Sequence, residues 1–180
     1  MIPEGYGIHE LTAADAPALA AAYRRNREHL EPWEPARDEG FYTDRGQAAS
    51  VAAQLAAVGN GLVVAWVLTH DDEVVGRVNL NNLVMGVLRS ASLGYWVGAE
   101  HQGRGLASGA VEFACAQAQG RGLHRVEAGT LLDNRPSQRV LERCGFEYYG
   151  TAPRFLFIRG AWQDHRLYQR ILHDRPLTLG

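Results

Sequence analysis

A glycine-rich turn between a strand and a helix is the segment of this chain best suited to bind an anion. It reads Gln102-Gly-Arg-Gly-Leu-Ala107, and an amphipathic helix begins at its end. The glycines let the backbone turn tightly and approach a ligand, and the helix N-terminus adds about half a unit of positive charge. Arg104 supplies a side chain suited to a charge-assisted phosphate contact. The pattern therefore predicts a cradle for a pyrophosphate.

Two familiar phosphate-binding motifs fit this segment less well. A P-loop requires GxxxxGK[ST], which the chain does not contain. A dinucleotide-binding fingerprint would need a third glycine where Ser108 stands, and the turn follows three consecutive strands. A strand-to-helix connection that binds nothing remains open if the glycines are considered alone.

Two ordered motifs resemble those of the GCN5-related N-acetyltransferase (GNAT) superfamily. Gln102-x-x-Gly105-x-Ala107 resembles the Q/R-x-x-G-x-G/A motif, and the segment from Asn134 through Ser137 to Gly-Phe146 resembles N-x-x-[AS]…GF. Four further segments look like the RimJ/RimL branch, whose members acetylate α-amino groups, notably the N-termini of ribosomal proteins: residues 26–33, 76–81, 93–96 and 157–165.

The resemblance implies acetyl-CoA as the cosubstrate and direct attack in a ternary complex. No metal is expected, because the sequence contains no HxxxH or CxxC spacing. Backbone groups of the strand before the turn would hydrogen-bond the pantetheine arm and so extend the sheet by one ligand strand, and a backbone N–H there would polarise the carbonyl. The implied coenzyme A contacts are Trp96, Val97, Gln102, Gly103, Arg104, Gly105, Leu106, Ala107, Ser108 and Asn134.

The departing thiolate needs a hydrogen-bond donor. Many members of the superfamily supply a tyrosine seven residues after the asparagine, but here Leu141 occupies that position. By resemblance to the RimJ/RimL branch, Ser137 is the expected general acid. Ser137 and Asn134 also fit ordinary positions in the first turn and at the N-cap of a helix, and both roles can hold at once.

The residues do not identify the general base. An α-amine has a pKa of about 7.7–8.0, so about a tenth of it is neutral at pH 7 and a weak base or a water relay suffices. Glu28, Trp33 and Asn79 are expected to shape the acceptor site. The side chains that could serve as base by type are Glu28, His29, Glu100, His101, Asp164 and His165.

Hydrophobic periodicity and turn residues predict one α/β (α+β) domain over residues 1–180, with a frayed tail at 172–180. The element order is β-α-α-β-β-β-α-β-α-β-β, which is also the order of the GNAT fold: a mixed sheet of about seven strands with helices on both faces. The predicted helices span 13–30, 44–58, 105–119 and 135–143. The predicted strands span 8–11, 62–69, 74–83, 91–97, 124–130 and 161–171, and the segments 146–149 and 154–158 are strand-like.

Composition excludes several classes of protein. The 180 residues are 46% hydrophobic and 21% charged with a net charge of −2, which disfavours a disordered chain, stable nucleic-acid binding and an anionic-membrane binder. The sequence predicts neither a signal peptide nor a membrane-spanning run, and we therefore expect a cytoplasmic location. The two cysteines, Cys115 and Cys144, are expected to be free thiols, with Cys115 in the core.

The favoured function is therefore acetyl transfer to the N-terminal α-amine of a ribosomal-type protein. A small amine such as an antibiotic or a metabolite is the alternative acceptor, and a non-catalytic acyl-CoA-binding module is a third possibility. Dimerisation is common in the family that the chain resembles, and the C-terminal hairpin offers strand edges that could pair, but the sequence does not decide the oligomeric state. The sequence does not identify the acceptor.

Overall fold

The computed structural model describes residues 1–176 and contains one seven-stranded sheet flanked by helices. The strands are β1 (Tyr6–Glu10), β2 (Val64–His70), β3 (Glu73–Val84), β4 (Ser90–Val97), β5 (Arg125–Leu131), β6 (Glu147–Ile158) and β7 (Ala161–Ile171). The helices are α1 (Ala16–Arg25), α2 (Arg27–Leu30), α3 (Asp44–Gly59), α4 (Leu106–Gly120) and α5 (Arg135–Arg143), and short 3-10 turns lie at Ala13–Asp15, Glu39–Tyr42 and Ala99–His101. The predicted mixed fold is confirmed.

The sheet has the order β1-β2-β3-β4-β5-β7-β6 and opens in its middle. All neighbouring strands are antiparallel except β4 and β5. Those two run parallel and pair over only three positions, Ser90 to Ser92 with Arg125 to Glu127. Beyond these positions the two strands are not paired with each other, which leaves an opening between residues 93–97 of β4 and residues 128–131 of β5.

The two faces of the sheet carry separate hydrophobic cores. One core packs α1 and α3 against β2, β3 and β4 and includes Leu19, Val51 and Trp96. The other packs α4 and α5 against the opposite face and includes Leu106 and Leu141. Since side chains alternate along a strand, consecutive residues of β4 face different cores.

Local signals explain why several element boundaries match their predictions. Helix α5 begins after Asn134, whose side chain accepts the N–H of Ser137 at 3.2 Å, and Gly145 follows the helix with φ of 72°. The hairpin tips at Asp71-Asp72 and Arg159-Gly160 have positive φ at both residues, as two-residue turns that match the sheet twist require.

Two predicted elements differ from the structure. The single helix expected over 13–30 is divided, because Asn26 leaves the helical conformation (φ −105°, ψ 13°) while its side chain donates to Ala22 O and accepts the N–H of Ala99. The two strands expected at 146–149 and 154–158 are one strand, β6, because register shifts near Gly150 and between Ala152 and Leu156 absorb the irregular residues.

The remaining sequence predictions concern the tail, the strand edge and the thiols. Leu172 N–H donates to His124 O at 2.8 Å, and residues 177–180 of the expected frayed tail lie outside the described residues. Within residues 1–176 no helix is long and apolar enough to cross a membrane. β6 is an outer strand of the sheet, and the homodimer that this edge could form stays a prediction. Cys115 and Cys144 are free, as expected; Cys115 is buried as predicted, and Cys144 is buried as well.

Candidate active site

The glycine-rich turn lies where the end of β4 meets the N-terminus of α4. Gly103 and Gly105 have φ of 72° and 78°, and a Cβ added to either would meet no other atom within 4 Å. Both positions therefore need the left-handed conformation that glycine tolerates, and both face open space. The first turn of α4, from Leu106 through Ser108, has N–H groups with no intrahelical acceptor. These features fit an anion that approaches the backbone closely.

The backbone of β4 changes partner along its length. The Gly98 N–H donates to Val75 O at 2.8 Å, and Gly98 and Val75 are directly opposite in the register of β3 and β4. Antiparallel pairing alternates, so the backbone of Trp96 is turned toward β3, whereas that of Val97 is turned toward the opening. Trp96 and Val97 are the two residues of β4 predicted to contact the pantetheine arm, and Val97 is the one whose backbone faces the opening.

Ser137 and Asn134 lie at the start of α5, on the side of the sheet that carries α4. The Ser137 hydroxyl is 2.8 Å from the phenolic oxygen of Tyr95, and either oxygen can donate in this contact; Ser137 O, at 3.3 Å, is an alternative acceptor for the phenol. Burial raises the pKa of the Tyr95 phenol, so this group remains a hydrogen-bond donor. A Tyr95 O–H that donates to Ser137 Oγ leaves the Ser137 proton free to point elsewhere.

A cavity of about 390 Å³ lies on the opposite face of β4, next to the opening. Polar groups from three elements meet in it, and two of their atoms are buried without a partner among the described residues: Arg77 Nε and Asn79 Oδ1. Its walls are Tyr23, Glu34, Arg37, Phe41, Ser50, Gln54, Ala57, Val63, Arg77, Asn79, Asn81, Gly94, Tyr95 and Trp96. Unpaired buried polar atoms are costly, so these two groups are available to pair with a ligand or with water.

Charged side chains of both signs line this cavity. Arg77 is 6% exposed and donates one guanidinium N–H to Gln54 on α3. Burial raises the pKa of the Glu34 carboxyl, and the positive charges of Arg37 and Arg77 oppose that shift. The pKa of Glu34 lies above the ordinary value of about 4.3 as a result.

Arg159, at the tip of the β6–β7 hairpin, connects the loop after α2 to the start of α5. Its guanidinium donates to Pro32 O at 2.9 Å and to Asp133 Oδ2 at 2.8 Å, and it lies 5.1 Å from the Trp33 ring centre. The predicted acceptor residue Trp33 is therefore held beside the residue that precedes Asn134. Asn79 lines the cavity, whereas Glu28 is exposed on α2 and is not among the residues of 1–176 that line it.

The side chains considered as general bases are dispersed. His29 Nε2 is 3.1 Å from both Val97 O and Gln102 Nε2, so it joins α2 to the end of β4 and to the turn. His101 packs against Tyr6, and burial lowers its pKa. Asp164 accepts the Arg154 N–H at 2.9 Å.

The other candidates offer no better geometry. His165 is 3% exposed, and its Nδ1 lies 3.1 Å from Gln163 O. Glu100 is exposed in the loop before the turn. Within residues 1–176 no group of three His, Cys, Asp or Glu side chains is arranged to hold a metal.

Sequence reasoning missed Tyr95 and Arg77 as components of the site, and it did not include Glu34 among the bases. Strand alternation shows that Tyr95 and Trp96 face opposite ways, but not that Tyr95 meets Ser137 on a helix 42 residues away. An arginine in an apolar strand and a carboxylate between Trp33 and Pro35 were the available signals for the other two.

Comparisons with known proteins agree with this arrangement. Residues 7–147 match the family model described as an acetyltransferase (GNAT) domain. The [ribosomal protein uS5]-alanine N-acetyltransferase of Escherichia coli (strain K12) is 35% identical over 156 residues, which cover 85% of this chain and 80% of that protein.

Two solved structures are similar in both fold and sequence. The ribosomal-protein-S5-alanine acetyltransferase of Vibrio fischeri superposes with a TM-score of 0.91 at 30% identity, covering 98% of each chain. RimJ of Mycobacterium smegmatis, in complex with CoA-disulfide, superposes with a TM-score of 0.88 at 32% identity, covering 92% of this chain and 81% of that one.

Proposed function

The chain belongs to the GNAT acetyltransferase family and is an N-acetyltransferase, and from that premise we propose that it transfers the acetyl group of acetyl-CoA to the N-terminal α-amine of a ribosomal protein. The observation that carries the proposal is the opening between β4 and β5, which has the glycine-rich turn at one end and the Ser137 hydroxyl beside it. The acceptor class is supported by the similarity to [ribosomal protein uS5]-alanine N-acetyltransferase.

The chain's own groups supply a complete set of contacts for the cosubstrate. The N–H groups from Gly103 to Ser108 bind the pyrophosphate, with Arg104 as the nearby cation. The Gln102 side chain positions this turn through its contact with His29. The Val97 backbone and the Asn134 side chain bind the pantetheine arm, while Trp96 contributes mainly by packing in the core.

Ser137 acts at the leaving sulfur. The amine nitrogen attacks the thioester carbonyl carbon, the C–S bond breaks, and the thiolate takes the Ser137 hydroxyl proton. When the Tyr95 O–H, which lies 2.8 Å from Ser137 Oγ and 3.3 Å from Ser137 O, donates to Ser137 Oγ, the Ser137 proton is left to point toward the sulfur. Ser137 recovers its proton from solvent, and the amine nitrogen loses one proton.

The first experiment is calorimetric titration with acetyl-CoA, followed by peptides that begin with Ala, Ser or Met. We expect acetyl-CoA to bind and thiol to be released with at least one peptide, with the acetyl group on the N-terminal nitrogen by mass spectrometry. A peptide with a blocked N-terminus and one lysine serves as the control. Release only with the lysine peptide or with a polyamine would overturn the acceptor, and absence of acetyl-CoA binding would overturn the cosubstrate site.

Substitution of Ser137 tests the proposed acid. Ser137→Ala should lower kcat by about 10²-fold or more, the usual contribution of a general acid, and leave the Kd for acetyl-CoA nearly unchanged. Ser137→Thr retains a hydroxyl group and should retain more activity than Ser137→Ala. A Ser137→Ala enzyme that binds acetyl-CoA weakly but turns over at the normal rate when saturated would contradict this role.

A further inference from the structure

The cavity on the α1/α3 face of β4 contains polar groups that the coenzyme contacts leave unused. Arg77 and Asn79 come from β3, and Glu34 comes from the loop after α2. The cavity wall also includes residues 94–96 of β4, which lie beyond the last pairing with β5. The cavity therefore adjoins the opening in which the thioester is expected.

Ser137 and this cavity lie on opposite faces of β4. Trp96 pairs with Arg77 and Gly94 with Asn79, so those residues share the face toward α1 and α3. Tyr95 and its partner Ser137 lie on the face toward α4 and α5. An amine in the cavity would reach the thioester carbonyl from one side of β4, while Ser137 serves the sulfur from the other side.

The unpaired atoms of the cavity match the start of a polypeptide chain. Within residues 1–176, Asn79 Oδ1 is a buried acceptor without a donor, and Arg77 Nε–H is a buried donor without an acceptor. An N-terminal residue presents an amine, which donates, and a peptide carbonyl next to it, which accepts. A lysine ε-amine or a polyamine has no carbonyl beside its nitrogen and would leave the Arg77 Nε–H without an acceptor.

We propose that this cavity holds the first residue of the acceptor, with Glu34 as the general base for its α-amine, Asn79 Oδ1 as a second acceptor for that amine, and Arg77 Nε as the donor to the first peptide carbonyl. The inference rests on the proposed function and adds the groups that select and activate its substrate. Glu34 takes one proton from the nitrogen after attack, while the thiolate receives one from Ser137, so the protons balance. Glu34 then returns its proton to solvent.

The surroundings of Glu34 suit this task. Arg37 from the same loop, Arg77 from β3 and Tyr23 from α1 also face the cavity. Burial raises the pKa of Glu34, which makes it a stronger base than an exposed carboxylate. Burial also raises the pKa of Tyr23, which therefore adds no charge near pH 7.

Glu34→Gln tests the base because it removes the charge and preserves the shape. We expect kcat/KM for an Ala-initiated peptide to fall by about 10²-fold or more, with the Kd for acetyl-CoA unchanged within about twofold. The matched control is Glu31→Gln, the same change three residues earlier at an exposed position, which should leave both quantities within about twofold of the unsubstituted enzyme.

The pH profile separates a base from a shape effect. In the unsubstituted enzyme both the amine and Glu34 must be unprotonated, so log kcat/KM should fall with a slope of two below the pKa of Glu34. With Glu34→Gln the slope should remain one, because only the amine titrates. Glu34→Asp keeps the carboxylate one methylene farther back and should recover part of the activity that Glu34→Gln loses.

The possible outcomes distinguish failure of the proposed function from failure of Glu34 as the general base. Enzyme that binds acetyl-CoA but acetylates no α-amine would refute the proposed function itself. Active enzyme whose Glu34→Gln variant matches Glu31→Gln would refute only the base. A Glu34→Asp variant no more active than Glu34→Gln, with normal acetyl-CoA binding and an unchanged slope, would place the effect in cavity shape and overturn the inference.

Discussion

Replacement of Tyr95 by Phe isolates the hydrogen bond that orients Ser137. The change deletes one oxygen, which lies 2.8 Å from Ser137 Oγ, and leaves the ring in place. A neutral hydrogen bond of this kind contributes about 0.5–1.5 kcal/mol. If that contribution is realised in the transition state, kcat should fall by about 2- to 13-fold, and the Kd for acetyl-CoA should not change.

A double-mutant cycle shows whether Tyr95 acts through Ser137. The four enzymes are the unsubstituted chain, Tyr95→Phe, Ser137→Ala and the double variant, and thiol release is followed with acetyl-CoA and peptide saturating. If Tyr95 only positions the Ser137 hydroxyl, Tyr95→Phe should cost nothing further once that hydroxyl is gone. Tyr149→Phe is the matched control, because Tyr149 donates a 2.8 Å hydrogen bond to Glu127 and is exposed.

The same enzymes distinguish orientation from ionisation. Burial raises the pKa of Tyr95 above the ordinary value of about 10, so its phenol stays protonated throughout the neutral range. The ratio of kcat between the unsubstituted enzyme and Tyr95→Phe should therefore be constant from about pH 6 to pH 9. A ratio that varies with pH, or an equal loss from Tyr95→Phe in the presence and absence of Ser137, would refute the reasoning.

Two further predictions concern the loop tether and the thiols. Arg159→Gln should raise the KM for peptide by about 2- to 10-fold and leave the Kd for acetyl-CoA unchanged, because Arg159 holds the loop that carries Glu34. The ion pair of Arg159 is partly exposed, so the free energy of unfolding should change by no more than about 1 kcal/mol. A raised Tm or an unchanged KM would contradict this role. Burial raises the pKa of Cys115 to about 12, above its ordinary 9.0, and also raises that of Cys144. Both thiols should therefore resist a thiol reagent at pH 8 until the protein is unfolded. The stability that burial of the neutral Cys115 thiol contributes should be lost as pH rises from about 9 toward 12. Rapid labelling of folded protein would show that these side chains are accessible.

Local chemistry made the coenzyme side of the site predictable. The turn from Gln102 to Ala107 is specified by its own glycines and by the helix that follows, and α5 is specified by the Asn134 cap and by Gly145. These signals lie within a few residues of what they determine. The positions of the turn and of Ser137 could therefore be predicted from local sequence signals, without knowledge of any tertiary contact.

The acceptor side depends on contacts between distant parts of the chain. Glu34 belongs to a loop without regular structure, and its carboxyl becomes partly buried because that loop packs against distant parts of the chain, including β3 and β4. Asn26 interrupts a favourable helical pattern because its side chain accepts the N–H of Ala99, 73 residues away. Neither effect has a local signal, so periodicity extended the helix to 30 and left Glu34 among the loop residues.

The alternation of one strand links the two halves of the site. Beyond Ser92, β4 leaves its pairing with β5, so Tyr95 is free to meet Ser137 while Gly94 and Trp96 line the cavity on the other face. A shift of one residue in the pairing with β3 would exchange these faces, moving Tyr95 into the cavity and Trp96 toward α5. The antiparallel register of β3 with β4 therefore decides which face receives the amine and which receives the thiolate, and the buried Trp96–Tyr23 hydrogen bond at 3.1 Å stabilises that register.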